Sequence, residues 1–235
     1  MTGTLVLLQS YPRSGNTLVR HVIEDYYGVP TYTVYPDEGK MLWPDRHIDD
    51  ENMPTDPVVF VKTHEERDYS VMEHKTLYIV RDGRDALISH AHFLCKFNGS
   101  CGSEFRDRLT ELVFCKEPQF AGHGKSPTND WGAHVIDLMQ QADAVLRFED
   151  LLIDPVAEVR EALKAVGVLD KMPQLPSGTM PDFAELHDRH PNFYRKGTTG
   201  QWRDEFPPDL LEAFWYHHGK AMKLAGYKQE MPAWA

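Results

Sequence analysis

The octapeptide Ser10-Tyr11-Pro12-Arg13-Ser14-Gly15-Asn16-Thr17 stands between a short apolar run and an amphipathic one, and that placement constrains the fold more than any other feature of the chain. Before it, Thr4 to Leu8 reads as a strand buried on both faces of a parallel sheet. After it, Leu18, Val19, Val22, Ile23, Tyr26 and Tyr27 recur at helical spacing, and Gly28 and Pro30 stop the helix. The loop therefore ends at a helix N-terminus, where unpaired N–H groups and the positive end of the helix dipole meet whatever lies in it. An oxyanion, phosphate or sulfate, is the natural occupant.

A nucleoside triphosphatase loop needs two glycines around four residues and then Lys-Ser/Thr, so that the lysine reaches the outer phosphates. Here Gly15 stands alone, no lysine follows it, and the cation Arg13 precedes it. Three further segments carry chemistry. Val59 to His64 predicts a second buried strand that delivers Lys62, Thr63 and His64 at its C-terminal end, the edge where open α/β sheets bind ligands. Leu77 to Arg81 predicts a third strand, with Asp82 to Ser89 turning into a helix. Near the C-terminus, Arg195-Lys196-Gly197 offers a forked donor, a point charge and a closely approaching backbone N–H, a set suited to a dianionic phosphate.

Taken together and in this order, the segments resemble the cytosolic-type sulfotransferases. The octapeptide is similar to that family's 5′-phosphosulfate loop, and Lys62-Thr63-His64 to the segment supplying its general base. Arg81 and Ser89 have the spacing of its 3′-phosphate segment, and Arg195 to Arg203 resembles its Arg-Lys-Gly-x-x-Gly-x-Trp-Lys loop. The resemblance implies one α/β domain over residues 1–235, a central parallel sheet flanked by helices in the manner of P-loop nucleoside triphosphatases. It implies sulfuryl transfer from 3′-phosphoadenosine 5′-phosphosulfate to a hydroxyl or amine of a small-molecule acceptor, by in-line displacement and without a required metal.

On this resemblance His64 is the general base, and Arg13 and Lys62 stabilise charge around the transferring group. Ser14, Gly15, Asn16 and Thr17 surround the 5′-phosphate, while Arg81, Ser89, Arg195, Lys196 and Gly197 hold the 3′-phosphate. The chain departs from the family at the adenine: Leu18 stands where a tryptophan is usual and Phe148 where a tyrosine is usual, which shifts recognition toward Phe148, Phe183 and Trp202. Two other readings stay open on the same scaffold, a small-molecule kinase and a domain that binds the spent nucleotide without catalysis.

Composition sets the remaining bounds. A formal net charge of −11 argues against nonspecific nucleic-acid binding and against an anionic membrane surface, so the site cations must converge against an acidic background. Three cysteines, Cys95, Cys101 and Cys115, lack metal-ligand spacing and read as free thiols of a reducing, cytoplasmic compartment. His90-x-His92 and His187-x-x-His190 have ligand-like spacing that would suit a metal hydrolase, but a pair at i, i+2 on one helix cannot face one metal. Tyr32, Tyr35, Met41, Trp43, His90, Phe93 and Trp131 are candidate walls of an acceptor pocket, and the acidic residues between Asp37 and Glu51 favour a cationic acceptor. The dimerisation motif usual in the family is absent from the last helix, which leaves the oligomeric state open.

Overall fold

A computed structural model describes residues 3–35, 46–49, 52–65, 74–97, 104–115, 130–174, 178–190 and 194–230. Five strands, β1 (Thr4–Ser10), β2 (Thr31–Thr33), β3 (Val58–Thr63), β4 (His74–Val80) and β5 (Ala144–Arg147), form one sheet in the order β2-β3-β1-β4-β5. Every pairing is parallel. From β1 the chain runs out to the edge strand β2 and back through β3 on one side, then crosses to β4 and β5 on the other, so β1 marks the point where the winding reverses. At its C-terminal edge such a sheet opens a crevice for ligands. Register brings Leu8 opposite both Lys62 and Leu77, so the ends of β1, β3 and β4 lie at one level.

Strand side chains alternate between two helical layers, as a pleat requires. Val6, Leu8, Phe60, Leu77 and Ile79 face a core built with α1 (Asn16–His21) and its wider continuation Val22–Tyr26, together with the helix Pro155–Ala165. Tyr78 and Val80 face a second core, where α2 (Gly83–Phe97), α3 (Glu104–Val113), α4 (Trp131–Leu138) and the long helix Pro208–Leu224 meet. Between these elements run α5 (Phe148–Leu151), α6 (Pro155–Ala165), α7 (Phe183–Arg189) and α8 (Trp202–Glu205), before α9 (Pro208–Leu224). Two helix starts are capped by carboxylates: Asp154 accepts from the Ala157 N–H ahead of Pro155, and Asp182 and Glu185 close a capping box.

Three expectations change. Ala144 to Phe148 reads in sequence as a fourth strand, but β5 stops at Arg147 and Phe148 begins α5, because Glu149 and Asp150 favour a first helical turn over an extended chain. Residues 30–57 show no clean period in sequence, yet Thr31–Thr33 form the edge strand β2. Trp131 and His90, read as pocket walls, are fully buried in the helical core. Met41, Trp43, Cys101 and most of the acidic segment between Asp37 and Glu51 lie outside the described residues. Among the described residues no helix is long and apolar enough to cross a membrane.

Candidate active site

The octapeptide curls over the end of β1. Arg13 at φ 66 and Gly15 at φ 103 both take the left-handed backbone conformation. Gly15 is also sterically obligatory, since a Cβ there would lie 2.6 Å from the Phe148 ring. Asn16 pins the curl from below: its side-chain N–H donates to the Leu8 carbonyl at 2.8 Å and to Ser10 Oγ at 3.2 Å. Asn16 is thus occupied with the scaffold rather than facing the loop's hollow. Ser14 is buried and its Oγ has no hydrogen-bond partner among the described residues, while Thr17 is half-buried in the first turn of α1.

Across from the loop, β3 presents Lys62 and the chain then places His64. Lys62 is buried beside the Tyr35 ring, its Nζ 5.9 Å from the ring centroid. His64 is fixed at four points. Its backbone N–H donates to the Tyr35 hydroxyl oxygen at 2.8 Å, and its ring stacks on Tyr35 with centroids 5.6 Å apart. His134 Nε2 donates to its carbonyl at 3.1 Å. Its own Nδ1 lies 2.7 Å from the Ser10 carbonyl. A carbonyl can only accept, so Nδ1 carries the proton and the imidazole lone pair sits on Nε2.

Behind His64 lies a buried polar chain that the sequence did not reveal. The Tyr78 hydroxyl donates to His134 Nδ1 at 2.6 Å, and Tyr11 and His90 Nδ1 are paired at 3.1 Å. Burial pushes the His134 imidazole down to about 4, so it is neutral at pH 7, with one nitrogen donating to His64 and the other accepting from Tyr78.

Arg81 leaves the end of β4 and binds the two halves of the site together. Its guanidinium donates to the Arg13 carbonyl at 3.0 Å and to the Thr198 carbonyl at 3.3 Å, and lies 4.3 Å from the centroid of Phe148. Its buried Nε has no hydrogen-bond partner among the described residues. Burial lowers the pKa of this guanidinium, with Asp85 opposing the shift. Arg13 reaches Ser89 Oγ at 3.4 Å and packs on the Phe93 ring, so Ser89 joins the same cluster. Asp85 anchors the C-terminal loop by accepting from the N–H groups of Gly200 (2.6 Å) and Trp202 (2.9 Å).

In that loop Gly197 takes φ 59 and touches Phe183 so closely that a Cβ would come within 2.2 Å of its ring. Arg195 and Lys196 both turn to Glu205: Arg195 Nη1 donates at 3.2 Å and Lys196 Nζ at 2.6 Å, and Gln201 also receives Arg195. His92 Nε2 meets the other carboxylate oxygen at 2.7 Å. These partners hold the Glu205 carboxyl down at about 2. Trp202 is 1% exposed and lies beside the Arg84 and Arg203 guanidinium groups, which removes it as a base-stacking surface. Phe148 and Phe183 keep that possibility, since they flank the loop at Gly15 and Gly197. The two histidine pairs do not gather a metal: His90 bonds Tyr11 while His92 bonds Glu205, and His187 bonds the Tyr194 carbonyl while His190 lies beside His21.

The arrangement gathers Arg13, Lys62, Arg81 and His64 at the C-terminal edge of a parallel sheet, where its winding reverses, beside the N-terminus of α1. Its unpartnered buried groups, Ser14 Oγ and Arg81 Nε, are donors suited to oxyanions. A family model described as the sulfotransferase domain matches residues 4–226. The chain belongs to the sulfotransferase family. Among curated relatives, the guinea pig 3-alpha-hydroxysteroid sulfotransferase is 25% identical over 180 residues, 68% of this chain and 59% of that protein. Bovine sulfotransferase 1A1 is 25% identical over 178 residues, 66% of this chain and 56% of that protein. The match therefore spans somewhat over half the length of these relatives.

Solved sulfotransferase structures share the fold. Mouse sulfotransferase SULT7A1, complexed with PAP, superposes with a TM-score of 0.60 at 17% identity, covering 96% of this chain and 89% of that one. Retinol dehydratase, in complex with androsterone and the inactive cofactor PAP, gives 0.56 at 17% identity, covering 99% of this chain and 84% of that one.

Proposed function

We propose that this chain transfers a sulfuryl group from 3′-phosphoadenosine 5′-phosphosulfate to a hydroxyl or amine of a small-molecule acceptor. The observation that carries the reading is the His64 imidazole, locked by its Nδ1–H on the Ser10 carbonyl at the same sheet edge as the Arg13–Thr17 loop. Family membership and the relatives that carry PAP support the choice of donor. The donor supplies an activated sulfuryl group with a phosphate leaving group. His64 Nε2 takes the acceptor's proton as the hydroxyl or amine attacks, and the neutral Nδ1–H bond holds the ring in the required tautomer. Arg13 and Lys62 place positive charge beside the reacting group, and Ser14, Gly15 and Thr17 line the 5′-phosphate. Arg81, Ser89, Arg195, Lys196 and Gly197 take the 3′-phosphate, with Phe148 and Phe183 against the base. Asn16 acts through the scaffold, by holding the loop to Leu8 and Ser10.

Titration calorimetry with adenosine 3′,5′-bisphosphate, with ADP and ATP as controls and EDTA present, tests the reading. Metal-independent binding that requires the 3′-phosphate is expected. Preference for ATP would replace it with a kinase, and binding without turnover of the sulfated donor over a panel of phenols, steroids and cationic amines would leave a nucleotide-binding domain without catalysis.

A further inference from the structure

Away from the nucleotide-facing loops, three chemically different donors meet. Cys115 follows α3, Asp130 caps α4 and His218 lies on the buried side of α9; the thiol sulfur, a carboxylate oxygen and an imidazole nitrogen lie within 4.8 Å of one another. His218 is 1% exposed, and its Nε2 is 3.1 Å from the Val113 carbonyl. That nitrogen must donate, which leaves Nδ1 as the ring's second site for a proton or a metal. Nδ1 has no hydrogen-bond partner among the described residues and faces Asp130 Oδ1 at 3.5 Å. Asp130 Oδ1 is itself held by the Ala133 N–H at 2.8 Å.

An imidazole nitrogen and a carboxylate oxygen thus face each other in a buried place beside the Cys115 thiol, and the pairing calls for a positive charge between them, a proton on Nδ1 or a metal ion. Their 3.5 Å separation is close to the roughly 3.3 Å between nitrogen and oxygen ligands of a tetrahedral zinc with bonds of about 2.0–2.1 Å. Gly132 keeps the place open, since a Cβ there would lie 2.8 Å from His218 Nδ1 and 3.2 Å from Asp130 Oδ1.

We propose that Cys115, Asp130 and His218 form a structural metal site for zinc, with water as the fourth ligand. A thiolate, an imidazole and a carboxylate together suit zinc better than the oxygen-seeking magnesium or calcium. The Nε2–H bond to Val113 is the outer contact that fixes a ligating imidazole. Binding exchanges the Cys115 S–H proton for a sulfur–zinc bond and releases that proton to solvent. Because the thiol must lose its proton to bind, zinc affinity rises with pH. The ion joins the two ends of the chain between Cys115 and Asp130 to α9. His218 also meets Trp131 edge-on, with ring centroids 6.2 Å apart, and Trp131 packs on Gly83 at the start of α2. The ion therefore braces the floor behind the helix that carries Asp85 and Ser89, whatever the donor nucleotide is.

The full chain, freed of metal with a chelator, is titrated with cobalt(II) and then zinc. One cobalt per chain is expected, with a thiolate-to-cobalt charge-transfer band that zinc abolishes, and zinc raises the unfolding midpoint. Cys115→Ser removes the band and weakens zinc by at least about 100-fold. Asp130→Asn, which keeps a capping oxygen for α4, weakens zinc as well and serves as the second folded variant. No uptake of either metal by the wild-type chain, a cobalt spectrum without the thiolate band, or wild-type zinc affinity in both variants would overturn the proposal.

Discussion

Replacing Glu205 by Gln should loosen the free protein and tighten its hold on a 3′-phosphorylated nucleotide. The carboxylate receives Arg195, Lys196 and His92, so the two cations assigned to the 3′-phosphate are already neutralised within the protein. A phosphate reaching them must first displace that carboxylate. The Glu205 side chain is 20% exposed and that of Lys196 is 51% exposed, so solvent weakens the pair well below a buried one. At about 0.5–1 kcal/mol for each of the Arg195 and Lys196 ion pairs, the upper half of the range for exposed pairs, the two contribute about 1–2 kcal/mol. Converted at 1.4 kcal/mol per decade, Glu205→Gln strengthens binding of adenosine 3′,5′-bisphosphate by about 5- to 30-fold. AMP, which lacks the 3′-phosphate, changes little.

The same loss lowers the unfolding midpoint by about 2–8 °C for a chain of this size. The Glu205 carboxyl lies below its unfolded value, at about 2, so its stabilisation is present above about pH 4.5. It is lost as pH falls toward 2, and the variant lacks that part of the acid transition. Calorimetry with the two nucleotides and a thermal melt read all three effects. Weaker binding of the bisphosphate by the variant would refute the reasoning, since Glu205 would then be holding Arg195 and Lys196 in place for the phosphate.

His64→Ala should lower turnover by about 10²-fold or more with bisphosphate affinity nearly unchanged, measured by steady-state kinetics beside calorimetry. Near-wild-type turnover would remove the histidine from the chemistry. Arg195→Ala should cost far more affinity for adenosine 3′,5′-bisphosphate than for adenosine 5′-phosphosulfate; equal losses would sink the 3′-phosphate assignment. Gly15→Ala should abolish nucleotide binding, because the new methyl meets the Phe148 ring at 2.6 Å and φ 103 disfavours a side chain. Binding retained in that variant would mean that the octapeptide does not line the nucleotide.

The parts of this protein legible in its sequence are those where one physical demand acts alone. β1, β3 and β4 are central strands buried on both faces, so their residues run apolar without interruption. β2 is a three-residue edge strand, Thr31-Tyr32-Thr33, whose composition carries no such signal. Phe148 was placed one step wrongly because the chain passes from strand to helix at Arg147 without a glycine, proline or capping side chain to mark the change. Trp131 illustrates a further limit: a large aromatic suits a pocket wall and a core equally, and only packing against Gly83 and Phe214 decides. Asp85 and Glu205 were missed for a different reason. Charge logic searches an anion site for cations, yet here acidic groups hold the cationic loop by its backbone and by its side chains. Two carboxylates at the start of α2, Asp82 and Asp85, were the available signal, since a helix start tolerates them readily.

The net charge of −11 no longer conflicts with an anionic ligand once the partners of each cation are known. Surface charges act over a screening length of about 8 Å at physiological salt, so distant acidic residues weigh little against cations in contact. What matters is how each contacting cation is already engaged. Arg81 makes its hydrogen bonds to the carbonyls of Arg13 and Thr198, neutral acceptors that orient the guanidinium, while Asp85, Glu149 and Asp82 act on it only through space. Arg195 and Lys196 make theirs to a carboxylate. The crevice therefore has a fixed positive floor at Arg81 and a compensated rim at Glu205. On the proposed assignment, an arriving dianion is attracted first by the floor and completes its binding only by taking over the rim. That order of events makes the rim the place where affinity can be raised by removing a charge, and the floor the place where any loss of charge must lower it.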